Sequence, residues 1–290
     1  MLQLPKNVWI LAISLALFMS LSVFILFVGG IVGNTLATSK SLSTLPVATI
    51  VVGTALSIIP VIRLMSMFGR KKVFLSVCLY TIALIGLSIY SILIESFILF
   101  CFSSFCLGAN VATMNQFRFA AIESVNTNQR TTATAVVLLG GLLAAYLGTE
   151  IATLGRDWFE VDFIGSFVLL ALLFVAAFVL LCFFQPAEKF HEQVDKSKRP
   201  LIEIIKQGSF VVAVGAATTG YVVMSFVMTA TPVSMHLVDG FSLENTKFVL
   251  QSHVIAMFLP SLFTAMIVKY LGLSRMMILG VIILFISVTI

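Results

Sequence analysis

Long apolar runs alternate with short polar breaks along nearly the whole chain. A run of about 20 apolar residues is the length that an α-helix needs to cross a bilayer core of roughly 30 Å. A ninth run starts near Met276 and reaches the last residue, Ile290, too soon to cross, so we expect the sequence to be truncated. We predict eight complete membrane-spanning helices: Val8–Val32, Leu45–Met65, Val73–Leu93, Phe97–Phe119, Thr132–Leu154, Phe163–Phe184, Ser209–Ala230 and Phe248–Val268.

The predicted fold is therefore an all-α, polytopic transmembrane bundle. Strands of a membrane barrel would alternate apolar and polar residues, and these runs are continuous. Composition agrees, since 60% of the residues are hydrophobic and only 10% are charged. Those proportions exclude both an ordinary soluble globule and a disordered chain. We expect the lipid bilayer to be a partner and nucleic acid not to be one.

Positive charge is concentrated in alternate connections between the predicted helices. Of the 17 Lys and Arg residues, only Lys40, Arg156 and Lys247 fall on the side opposite the others. Because cytoplasmic loops retain Lys and Arg, this bias predicts a cytoplasmic N-terminus. The compact loops favour a bacterial inner membrane.

One connection is much longer and more charged than the rest, and it divides the chain. We predict a six-helix half at 1–184, a cytoplasmic linker at 185–208, and a partial second half at 209–290 that holds two helices and part of a third. Two six-helix halves joined by a charged linker are a common layout of secondary transporters.

The connection between the second and third helices resembles the signature loop of the major facilitator superfamily, which reads Gly-x-Leu-Ala-Asp-Arg-x-Gly-Arg-Arg/Lys. The fit includes Gly69, Arg70 and Lys71, whereas Ile62 and Ser66 stand where the motif has Gly and Asp. The family also has an acidic residue after helix 4 with Arg seven positions later. Glu123 and Arg130 match that spacing.

The resemblance implies alternating access between two halves, with this loop latching one conformation. The latch residues would be Gly69, Arg70 and Lys71 together with Glu123 and Arg130. Glu123 is the expected partner of Arg70 and also of Arg118. The connection after the eighth helix resembles the signature loop more weakly, through Lys269, Gly272 and Arg275.

Polar residues inside apolar helices are candidates for a substrate cavity, because such groups are costly in lipid unless they face protein or water. Thr218, Tyr221, Ser225 and Thr229 are spaced so that they share one helix face. Asn110 and Ser261 are further candidates on helices 4 and 8. The alternative is a structural role, in which these side chains hydrogen-bond between helices or to the preceding turn.

Two titratable residues are candidates for coupling transport to protons. His253 has an ordinary pKa near 6.5, and Glu150 lies about one turn from the end of its helix. A structural role for His253, and contact with interfacial water for Glu150, are the alternatives.

The sequence lacks the common catalytic motifs and clustered metal ligands, so we expect no enzyme activity, metal or cofactor. Taken together, the pattern predicts secondary active transport of a small organic solute, coupled to protons. The alternative is a transporter-like protein without transport activity, such as a receptor, a regulator or a remnant.

Overall fold

The structure is a computed structural model that describes residues 4–186 and 201–289. Helices dominate these residues, and none of them forms a strand, which confirms the predicted fold class. Seven helical segments of the described chain are long and apolar enough to cross a membrane. They correspond in order to the first seven predicted spans.

The first six spans are built from eight α-helices, because two of the spans are interrupted. The fourth breaks at Asn115–Gln116 and the fifth at Leu139, where the next helix starts with two glycines. The helices are α1 (Lys6–Leu36), α2 (Leu45–Phe68), α3 (Arg70–Leu93), α4 (Phe97–Met114), α5 (Phe117–Glu123), α6 (Arg130–Leu138), α7 (Gly140–Leu154) and α8 (Ile164–Cys182).

The later part of the chain departs further from the predicted pattern. The eighth predicted span is not one continuous helix, because a 3₁₀ turn at Leu259–Phe263 contains Pro260, which has no N–H to continue an α-helical ladder. The elements are α9 (Leu201–Ile205), α10 (Gly208–Pro232), a π-helical turn (Val233–Val238), α11 (Leu243–Phe258), the 3₁₀ turn, α12 (Thr264–Leu271) and α13 (Leu273–Thr289).

The described residues form two compact units. The first comprises 4–186 with 229–261, and the second comprises 201–228 with 262–289. These boundaries do not follow the predicted division at 184 and 208, and most of the predicted linker lies outside the described residues. Two six-helix halves therefore stay a prediction.

Helix α1 is the centre of the first unit. In the apolar stretch of α1, 83% of the residues are buried, and the helix contacts α7, α8 and α4. Aromatic rings of α1 pack against rings of its neighbours. The ring centroids of Phe18 and Phe117 are 4.9 Å apart, as are those of Phe24 and Phe167, and both pairs are edge to face. Such pairs add roughly 0.5–1.5 kcal/mol to simple packing.

Helices α2 and α4 approach each other closely at two glycines. A Cβ on Gly53 would overlap the carbonyl of Phe105, and one on Gly108 would overlap the backbone at Thr54. Small residues at such crossings permit close helix packing in membranes. This crossing helps fix the position of α2, whose C-terminal end leads directly into the basic connection before α3.

Candidate functional site

The basic connection between α2 and α3 is a single-residue turn at Gly69. Its φ of +83° and ψ of 156° belong to a backbone region that residues other than glycine rarely adopt. The Gly69 N–H donates to the Met65 carbonyl at 2.9 Å, and α3 begins at the next residue. The turn therefore fixes where Arg70 and Lys71 emerge.

Arg70 and Glu123 form a bidentate ion pair that joins α3 to the end of α5. Nε donates to Oε2 at 2.7 Å and Nη2 to Oε1 at 2.5 Å. The side chain of Arg70 is 22% exposed and that of Glu123 is 55% exposed, so water screens the pair. Ser66, which replaces the motif's Asp, donates its hydroxyl to the Arg63 carbonyl at 2.7 Å.

The neighbouring basic residues have different surroundings. Lys71 donates Nζ to the carbonyl of Cys182 at 2.7 Å, which connects α3 to the last residue of α8. Arg118 does not pair with Glu123 as expected, and its guanidinium instead lies 4.9 Å from the centroid of the Phe119 ring. Arg130 is the exposed first residue of α6.

Gly272, in the second unit, has almost the same backbone conformation as Gly69. Its φ is +76° and its ψ is 158°, and its N–H donates to the Val268 carbonyl at 2.9 Å. In both places the turn separates two helices without an intervening loop. The geometry is that of a repeated helix–glycine–helix turn, although the side chain of Lys269 lies outside the described residues.

A second polar cluster joins α7 to α11 inside the first unit. Lys247 Nζ lies 3.1 Å from Glu150 Oε1, with side chains 13% and 22% exposed. Gln251, one turn further along α11, donates Nε2 to Thr149 Oγ1 at 2.7 Å and to Glu150 Oε1 at 3.3 Å. We call Thr149, Glu150, Lys247 and Gln251 the α7–α11 cluster.

Lys247 is shared between two carboxylates on different helices. Besides Glu150 it contacts Glu244 Oε2 at 2.7 Å, three residues earlier on its own helix. Glu244 is 68% exposed, so it stays accessible to water while Glu150 is largely covered. If α7 and α11 separated, Lys247 would keep one partner and Glu150 would lose its cation.

Sequence reasoning found Glu150 but missed its partners. The predicted eighth helix started at Phe248, one residue after Lys247, so that lysine was counted only as a loop charge. One signal was available, since Lys247 is one of only three cations on the otherwise cation-poor side. The i, i+4 spacing of Lys247 and Gln251 would then have put both on one helical face.

His253, the other proton-coupling candidate, lies on α11 and is half-buried. It has no hydrogen bond or ion pair with any residue that the structure describes. Its role therefore stays a prediction.

The six substrate-cavity candidates have unlike surroundings. In the first unit, Asn110 is fully buried with Nδ2 3.5 Å from Thr81 Oγ1, and Thr229 is half-buried. In the second unit, Thr218 and Tyr221 are exposed and Ser225 is half-buried. The side chain of Ser261 lies outside the described residues. Their part in a cavity stays a prediction.

Comparison with known proteins identifies the family. The family model of the Major Facilitator Superfamily matches residues 9–290. The chain belongs to this superfamily of membrane transporters, as the signature loop predicted.

Individual relatives support the same class. The chain is 32% identical over 283 residues to the riboflavin transporter RfnT of Brucella anthropi, covering 96% of this chain and 71% of that protein. It is 29% identical to the uncharacterized MFS-type transporter YddS of Bacillus subtilis and 27% identical to YdeG of the same organism. Both of those matches cover 86% of this chain and 61% of the relative. No solved structure gives a significant match.

Proposed function

We propose that this protein is a secondary active transporter for a small organic solute, and that riboflavin or a related flavin is that solute. The observation that carries the substrate class is the 32% identity, across 96% of the chain, to a riboflavin transporter. The match extends over nearly the whole chain and is not confined to the signature loop. Alternating access is the family mechanism on which this proposal rests.

A flavin presents a flat aromatic ring system and a chain of hydroxyl groups. Tyr221 offers a ring for stacking, and Thr218 and Ser225 on the same face of α10 offer hydroxyls for hydrogen bonds. Asn110, Thr229 and Ser261 are the remaining polar candidates. In this proposal, Tyr221 contributes most because an aromatic stack buries the largest area.

Uptake of riboflavin into proteoliposomes tests the substrate. The protein should accumulate riboflavin saturably above empty vesicles, and Tyr221→Ala should raise KM roughly fivefold, the equivalent of one lost aromatic contact. Tyr270→Ala is the matched control, since that tyrosine is 79% exposed on α12. Saturable riboflavin binding without uptake would support the receptor alternative. The absence of both binding and uptake would overturn the flavin proposal.

We further propose that a proton gradient drives the cycle and that Glu150 carries the proton. The support is the α7–α11 cluster, in which Lys247 and Gln251 both contact the Glu150 carboxylate. Separation of α7 from α11 would remove both contacts, and the proposal assigns proton uptake by Glu150 to that step. His253 is the second candidate for the same role.

Variants of the two candidates test the coupling. We expect Glu150→Gln to abolish uptake driven by an imposed pH gradient while leaving counterflow exchange intact, because a neutral side chain cannot release a proton. His253→Ala should do the same if histidine is the carrier. Glu160→Gln is the control, as Glu160 is exposed in the loop before α8. Normal pH-driven uptake by both Glu150→Gln and His253→Ala would reject both residues.

The orientation that we propose puts the N-terminus and the Arg70–Glu123 pair on the cytoplasmic side of a bacterial inner membrane. Cysteines introduced at Lys72 and Lys40 should react with a membrane-impermeant maleimide from opposite faces. Labelling of both from the same face would contradict this orientation.

A further inference from the structure

A cavity of about 380 Å³ lies where three helix ends of the first unit meet. Lys6 and Asn7 line it from the start of α1, Lys71 from the start of α3, and Cys182, Phe183 and Gln185 from the end of α8. Two contacts tie these ends together. Lys71 donates to the Cys182 carbonyl, and the Asn7 amide exchanges hydrogen bonds with the backbone of Gln185.

The cavity is cationic. Lys6 and Lys71 both line it, and no carboxylate does so in the part of the chain that the structure describes. The contact with Cys182 uses one donor of the Lys71 ammonium, which leaves two for a ligand. The Lys6 ammonium lies 5.8 Å from the centroid of the Phe183 ring, at the edge of cation–π range.

An exposed tryptophan lies one turn beyond Lys6 on α1, and an exposed phenylalanine lies on the cavity wall. Trp9, on the first turns of α1, is 53% exposed, and Phe183 on the cavity wall is 60% exposed. Trp side chains concentrate at the level of the lipid headgroups. Lys6, which starts α1 one turn before Trp9, is therefore expected near the lipid phosphates.

We propose that this cavity binds the phosphate group of an anionic membrane lipid through Lys6 and Lys71, with the lipid tails against Trp9 and Phe183. The ligand chemistry is a phosphate held by two ammonium groups. A bound lipid would connect the ends of α1, α3 and α8, one residue away from the Arg70–Glu123 pair. This site is independent of the substrate and of the proposed proton pathway.

The test is lipid retention, which does not require transport. The purified protein is reconstituted in phosphatidylcholine with phosphatidylglycerol, extracted, and analysed by native mass spectrometry for bound phosphatidylglycerol. Lys6→Gln and Lys71→Gln should each weaken retention about fivefold, the contribution of one basic residue at an anionic surface. Lys71→Arg should restore retention because it restores the charge, whereas the amide of Lys71→Gln has an N–H donor for the Cys182 carbonyl but no charge.

Lys72→Gln is the matched control, because it removes the same charge from an exposed neighbour that does not line the cavity. Retention unchanged in Lys72→Gln but reduced in the other two supports the site. Equal losses in all three variants would mean diffuse surface attraction and would overturn it. Displacement of the lipid by inorganic phosphate, with binding of phosphate alone, would overturn the lipid assignment.

Discussion

Two ion pairs of the first unit differ in what surrounds them, one joining α3 to α5 and the other joining α7 to α11. The Arg70–Glu123 pair is bidentate and short, yet the glutamate is 55% exposed. The Lys247–Glu150 pair has a longer 3.1 Å contact, but its side chains are only 13% and 22% exposed and Gln251 adds a hydrogen bond. An ion pair's contribution depends more on what replaces it when it breaks than on its length. Glu123 would return to water, whereas Lys247 and Glu150 would both be left partly buried.

The largest effect should come from removing the cation of the α7–α11 cluster. We expect Lys247→Met to destabilise the protein by about 2–3 kcal/mol, somewhat below the cost of breaking a fully buried pair, because Glu150 is not completely covered. Thermal unfolding in detergent micelles measures this. Lys247→Met combined with Glu150→Met should recover much of the loss, since the double variant leaves no unpaired charge.

Glu244→Gln is the control for that comparison. It removes the exposed partner of Lys247 and keeps the covered one, so its cost should stay below about 0.5 kcal/mol. A cost for Glu244→Gln equal to that of Lys247→Met would show that burial is not what separates the two ion pairs.

The next effect concerns the turn that presents Arg70. Gly69→Ala should cost about 1–2 kcal/mol, because alanine is strained at φ +83° although a Cβ there would meet no atom within 4 Å. Gly272→Ala tests the repeated turn and should cost a similar amount at φ +76°. Gly86→Ala is the control inside α3, where a Cβ also has open space and a helical residue gains stability.

A cost at Gly69 without a comparable cost at Gly272 would contradict the idea that the two turns are equivalent. The measurement is again thermal unfolding. Loss of the proposed riboflavin uptake in Gly69→Ala, at a temperature where the protein is folded, would add a role in transport to the structural one.

The sequence predicted one ion pair and not the other for a physical reason. Gly69, Arg70 and Glu123 match family motifs whose residues stand at fixed spacings, so they can be recognised from the sequence alone. Lys247 and Glu150 are far apart in sequence, and their contact depends on how α7 packs against α11. The hydropathy pattern identified the first seven spans, because it shows how long each apolar stretch is. It does not show whether the helix within a stretch is continuous, so it could not detect the breaks at Leu139 and Pro260.

The smallest effect should come from Glu123→Gln, which tests whether the Arg70–Glu123 pair is a latch or only a surface contact. Because water already reaches Glu123, the cost in stability should be about 0.2–1 kcal/mol and should decrease with added salt. A latch would still affect transport, since a bias of that size changes the ratio of two conformations up to roughly fivefold. We therefore expect the rate of the proposed riboflavin exchange to change by up to roughly fivefold, with little change in the unfolding temperature. Ser66→Ala is the control, because Ser66 is exposed on the same connection and bonds only within its own helix. An exchange rate for Glu123→Gln equal to that of Ser66→Ala would reduce the pair to a surface contact.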